Sequence, residues 1–134
     1  MKTFLFQKLV RDKIPAAIEN RGGTAVARKL TRKEYIRELV KKLTEESTEL
    51  NSSLSSQQAT AELADIVEVV AALQKVFKVS DSKIRSIRQN KNLKNGAFAK
   101  RLFIDRIQVS DTDPWLNHYR QNSDRYHEII SKHK

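Results

Sequence analysis

Apolar residues recur at helical spacing along most of this chain. Ile36, Leu39, Val40, Leu43, Leu50 and Leu54 form one run, and the apolar positions from Leu63 through Phe77 form the next; this periodicity predicts two amphipathic helices. Thr31 followed by Glu34 makes a capping box, so the first long helix is expected over Arg32–Ser53. Ser55 with Gln58 can cap the second in the same way. The Ser-rich stretch SSLSSQQ between them is short, which predicts that the two helices lie antiparallel. Upstream, Lys8 to Asn20 carries Leu9, Val10, Ile14 and Ile18 together with Pro15, a residue that a helix tolerates only near its start. Arg21-Gly22-Gly23 then ends the segment. Ser80-Asp81 opens a third helical stretch with Ile84, Ile87 and Leu93, stopping near Asn95-Gly96. LFIDRIQV has β-branched and aromatic content and reads as a short extended piece, and Asp113-Pro114 starts a final helix expected to run through Ile130. The fold class that follows is all-α, a helical bundle with an antiparallel pair of long helices.

At 134 residues and 39% hydrophobic content, the chain has material for one compact core. Two long helices are too few to bury all of their non-polar surface in one copy, so a homodimer or homotetramer is expected to complete the bundle. Composition then narrows the partners. Lys plus Arg number 26 against 16 Asp plus Glu, and the formal charge of +10 points to a polyanion: a nucleotide, a nucleic acid or a membrane surface. No cysteine is present, which removes disulfides and thiolate metal sites from consideration. The first apolar stretch, in MKTFLFQKLVRDK, is broken by Gln7 and Lys8, so neither a signal peptide nor a membrane span is expected, and the location expected is the cytoplasm.

Against this basic background, four acids stand out: Glu46 and Glu49 in KLTEESTEL, and Glu62 and Asp65 in AELADIVEVVAAL. Each pair is three residues apart and so shares a helix face. With about 100° of rotation per residue, Glu46 lies roughly 60° from the Leu43/Leu50 stripe and Glu49 roughly 60° further round. The Glu62/Asp65 stripe continues as Val69, Ala72 and Val76, a side that should not face bulk water. Carboxylates gathered beside apolar residues lose hydration and repel one another, and a divalent cation relieves both costs. Acid pairs at this spacing are also common on solvated faces with no function. The local acidity within a basic chain and the alignment with valines argue against that plain reading. Glu45, which points away from the stripe, and Glu68 are weaker candidates.

Glu-Glu-x-x-Glu at Glu45, Glu46 and Glu49, followed by Glu-x-x-Asp at Glu62 and Asp65, resembles the signature of the MazG-type all-α nucleoside triphosphate pyrophosphohydrolases. QKLVRDKIPAAIE, RKLTRKEYIRELVKKLTEE and RQNKNLKNGAFAKRLFI extend the resemblance to the small phosphoribosyl-ATP pyrophosphohydrolase-like branch, over about residues 5–105. The resemblance has no counterpart after Asp105 and fits a domain over 1–109, with 110–134 expected as a C-terminal helical extension that is part of the same domain or an oligomer contact. It also implies a Mg²⁺-dependent enzyme, Mn²⁺ being an alternative, that cleaves a nucleoside triphosphate to the monophosphate and pyrophosphate as nucleotide-pool housekeeping. By position, Glu46, Glu49, Glu62 and Asp65 would hold the metal, and Glu49 is the first choice for accepting the proton of the attacking water. Phosphoribosyl-ATP cleavage in histidine biosynthesis and a non-enzymatic basic nucleic-acid-binding protein remain open as alternatives.

Phosphate also needs cations. Lys8, Arg11 and Lys13 lie in the N-terminal motif, and Lys91, Lys94, Lys100 and Arg101 surround the loop at Gly96. Lys8, Arg11, Lys91, Lys100 and Arg101 are the substrate-binding candidates. The loop reads Gly96-Ala97-Phe98 where the family pattern is Gly-Gly-Phe, which puts its part in phosphate binding in question. His118, His127 and His133 lack the paired spacing of a zinc site and read as solvated. Trp115, Tyr119 and Tyr126 fit the apolar side of a terminal helix better than a base-stacking platform. Phe98 fits a core anchor and a base platform equally well.

Overall fold

The structure is a computed structural model and describes residues 1–129. Among them it holds five α-helices and no strand: α1 (Ile14–Asn20), α2 (Arg32–Asn51), α3 (Ser56–Phe77), α4 (Asp81–Asn95) and α5 (Leu116–Gln121). Two compact units divide the chain, Met1–Asn95 and Gly96–Lys134. The boundary expected from the resemblance stood at 109/110.

In the first unit, α2 opens on the capping box. Thr31 Oγ1 accepts from the Glu34 backbone N–H at 3.2 Å, and the Glu34 carboxylate accepts from the Thr31 N–H at 2.9 Å. Arg28 grips the same carboxylate at 3.2 and 3.3 Å, and these donors, the Arg28 guanidinium first, pull the Glu34 pKa down from an ordinary 4.5 to about 2. At the start of α3, Ser55 Oγ accepts from the Gln58 N–H at 3.1 Å, while the Gln58 side chain accepts from the Leu54 N–H at 2.8 Å. Four residues join the two helices, so the end of α2 lies beside the start of α3. At the opposite ends, Arg32 Nη2 donates to the Val76 carbonyl at 3.4 Å and its guanidinium lies over the Phe77 ring.

The stripe Glu62, Asp65, Val69, Ala72 and Val76 is the shielded side of α3, with Val69 buried, as its apolar character predicts. Leu39 of α2 is the other buried apolar residue among those described. α1 begins at Ile14, one residue before Pro15, because proline restricts the preceding backbone and allows few helical residues ahead of it. Gly22 closes α1 at a φ of 83° that a side chain would strain. Lys78 takes the left-handed cap of α3, and Gly96 follows α4 with a φ of 79°.

The second unit departs from expectation twice. Residues 101–110 form neither helix nor strand, since no neighbouring strand among the described residues supplies a ladder. The final helix was expected to reach Ile130, which lies outside the described residues, but α5 ends at Gln121. The Asn122 side chain donates to the His118 carbonyl at 2.8 Å, and this local bond competes with helix continuation. Tyr119 and Tyr126 pack edge to face at 5.1 Å, with His118 between Trp115 and Tyr126, so these aromatics serve local packing. Arg120 forks onto Glu128 at 3.0 Å through both nitrogens.

Candidate metal centre

Glu46 and Glu49 sit on the C-terminal half of α2 and Glu62 on the second turn of α3, brought face to face by the short connection. Each offers a carboxylate oxygen within 4.8 Å of the other two. Glu46 is buried to 6% of its free exposure, Glu62 is half-buried and Glu49 is exposed. The chain therefore builds an acidic cluster whose most buried member is Glu46.

Two observations give this cluster chemical direction. Oε2 of Glu62 is buried with no hydrogen-bond partner among the described residues. Burial, then the charge of Glu49, raises the Glu62 pKa above its ordinary value, with both neighbouring carboxylates contributing. A buried, unpaired oxygen flanked by two more carboxylates fits a hard divalent cation, and an all-oxygen donor set suits Mg²⁺ or Mn²⁺. Lys42 supplies the one cationic contact to the three acids among the described residues, its Nζ lying 3.4 Å from Glu46 Oε1 and 3.8 Å from Glu45 Oε2. One ammonium against three carboxylates leaves the cluster with an acidic excess.

The fourth expected ligand stands apart. Asp65 follows Glu62 by three residues on α3, yet its carboxylate lies outside the group of three and accepts from Arg11 Nη2 at 2.6 Å. Lys8, on the same N-terminal segment, donates to Glu45 at 3.1 Å. The segment is thus tied to both helices, and two of the expected phosphate-binding cations are already engaged with acids. Lys91 is exposed on α4; Lys100 and Arg101 are exposed residues of the second unit. Glu68 is exposed. Lys42 was not among the sequence candidates, although its position four residues before Glu46 was a legible signal. His118 and His127 are exposed, and His133 lies outside the described residues.

No family model matches this chain, and no curated protein or solved structure matches it either.

Proposed function

We propose that this chain is a divalent-metal-dependent nucleotide pyrophosphohydrolase of the MazG-like all-α kind, acting in the cytoplasm on a nucleoside triphosphate to release the monophosphate and pyrophosphate. The observation that carries the reading is the unpaired, buried Glu62 oxygen facing Glu46 and Glu49. Glu46, Glu49 and Glu62 would hold Mg²⁺ or Mn²⁺, with Asp65 one turn along as the reserve ligand. The ion, when bound, supplies neutralisation of phosphate charge and a more acidic water. Glu49, the exposed member, is our choice for accepting the proton as water attacks. Arg11 and Lys8 would hold phosphate oxygens, the first through its fork and the second as a point charge, with Lys91, Lys100 and Arg101 as further candidates.

The reading includes an antiparallel α2/α3 pair completed by a second copy. Leu63, Val67, Val70 and Phe77 form a second apolar stripe on α3 that is exposed in the single chain, while only Leu39 and Val69 are buried apolar residues among those described. A continuous apolar stripe of this kind is the ordinary basis of a bundle interface.

The test is metal-dependent pyrophosphate release, screened over canonical, deaminated and oxidised triphosphates and phosphoribosyl-ATP, with Glu49→Ala beside the parent. Expected is turnover that requires Mg²⁺ or Mn²⁺ and falls by two orders of magnitude or more in Glu49→Ala, of the order that removal of a general base and ligand causes. Equal activity of the two proteins, or none with any nucleotide, would remove the basis of the assignment. Strict selectivity for phosphoribosyl-ATP would move the role to histidine biosynthesis. The +10 charge favours nucleic acid as a second reading; salt-sensitive duplex binding without nucleotide turnover would select it.

A further inference from the structure

Arg11 and Asp65 meet across 54 positions of sequence, and their pair ties the N-terminal segment to α3. Arg11 precedes α1 in non-helical backbone, and its carbonyl accepts the Ile14 N–H at 3.0 Å, which anchors the backbone while leaving the long side chain free to swing. Asp65 shares its face of α3 with Glu62, whose buried oxygen lacks a donor among the described residues. The carboxylate nearest along that helix to an unsatisfied acid is therefore held by a guanidinium instead of joining the group.

We infer that Arg11 is a positioning residue that competes with the divalent ion for Asp65, so that the fourth carboxylate reaches the ion only when the guanidinium lets go. This inference rests on the metal reading above. A polyphosphate offers Arg11 a more highly charged partner than one carboxylate, in the bidentate geometry that its fork prefers. Binding of phosphate would draw Arg11 off Asp65 and release that carboxylate towards the cation. Metal and phosphate then assist each other by linkage, each binding more tightly in the presence of the other.

The ion pair is half open to water, with side-chain exposures of 61% for Arg11 and 41% for Asp65, so its competition is modest. Releasing Asp65 should tighten metal binding by about two- to fivefold, the range that a solvent-exposed pair supports. The experiment is titration of the full chain with Mn²⁺ alone, followed by calorimetry or by the electron paramagnetic resonance of the free ion. Four proteins are compared: the parent, Arg11→Met, Asp65→Asn and the double variant. Arg11→Met should bind Mn²⁺ more tightly than the parent, and the gain should vanish in the Asp65→Asn background. A full-sized gain in both backgrounds is through-space repulsion and overturns the inference, as does no gain in either. Mn²⁺ binding by none of the four, the parent included, overturns the metal reading and this inference with it, whereas binding without the coupled pattern removes this inference alone. Should Arg11→Met lose its helical circular dichroism, Arg11→Lys makes the same comparison with the charge kept and the fork removed. Its expected gain is smaller and again depends on Asp65.

Discussion

A divalent cation should stabilise this protein through the three gathered carboxylates. Glu46, Glu49 and Glu62 gather with Lys42 as the contacting cation, and one Glu62 oxygen is buried without a donor among the described residues. The unfolded chain disperses these acids and offers no such site, so an ion that binds only the folded form raises stability by mass action. At a concentration a hundredfold above its dissociation constant the gain is about 2.7 kcal/mol. For a chain of this length, that corresponds to an increase in melting temperature of roughly 5–15 °C. Melting followed by far-ultraviolet circular dichroism against Mn²⁺ concentration reads the shift, with NaCl at matched ionic strength separating binding from screening. Glu62→Gln should nearly abolish the shift. In the absence of metal the same variant should melt above the parent, because it removes one of three mutually repelling charges and places an amide donor beside Glu46 and Glu49. An equal Mn²⁺ shift in parent and Glu62→Gln, or an equal shift from NaCl, would refute the reasoning.

Two further outcomes test the scaffold around the acidic cluster. Glu34 has its pKa lowered to about 2, so its contribution is present above 4.5 and is lost as pH falls from there towards 2; urea midpoints should drop across that window in the parent and less in Glu34→Gln. Val67 is 66% exposed on α3, so Val67→Lys should leave the single-chain fold intact while converting an oligomer to monomer by light scattering. An unchanged mass would place the contact elsewhere.

Local chemistry was the legible part of this sequence. The Thr31/Glu34 and Ser55/Gln58 caps act over three residues, and both form at the expected ends. The shielded Glu62-to-Val76 stripe follows from a fixed rotation per residue and needs no knowledge of the partner helix. The early end of α5 turns on one Asn122 side-chain bond that competes with the backbone, which periodicity does not register. Glu46 read as flanking the buried face, yet it is the most buried of the acids, because α3 covers a broader part of α2 than the Leu43/Leu50 stripe marks. Asp65 was the least legible, since the residue that holds it lies 54 positions away on a segment without helical periodicity.

The acids also break a local rule that α4 of the same unit obeys. The last turn of α2 carries no basic residue and does carry Glu49, where the helix dipole disfavours a negative charge. α4, by contrast, has Asp81 in its first turn and Lys94 in its last. Lys42 lies N-terminal to Glu46, the weaker order for a helical ion pair, so it offsets little of this cost. A chain with 26 basic residues had ample means to neutralise the end of α2 and instead gathers carboxylates there, beside an oxygen with no donor among the described residues. Such inconsistency between local preference and observed placement is characteristic of a site kept for chemistry rather than stability, and on the proposed reading the chemistry that removes it is coordination of a cation.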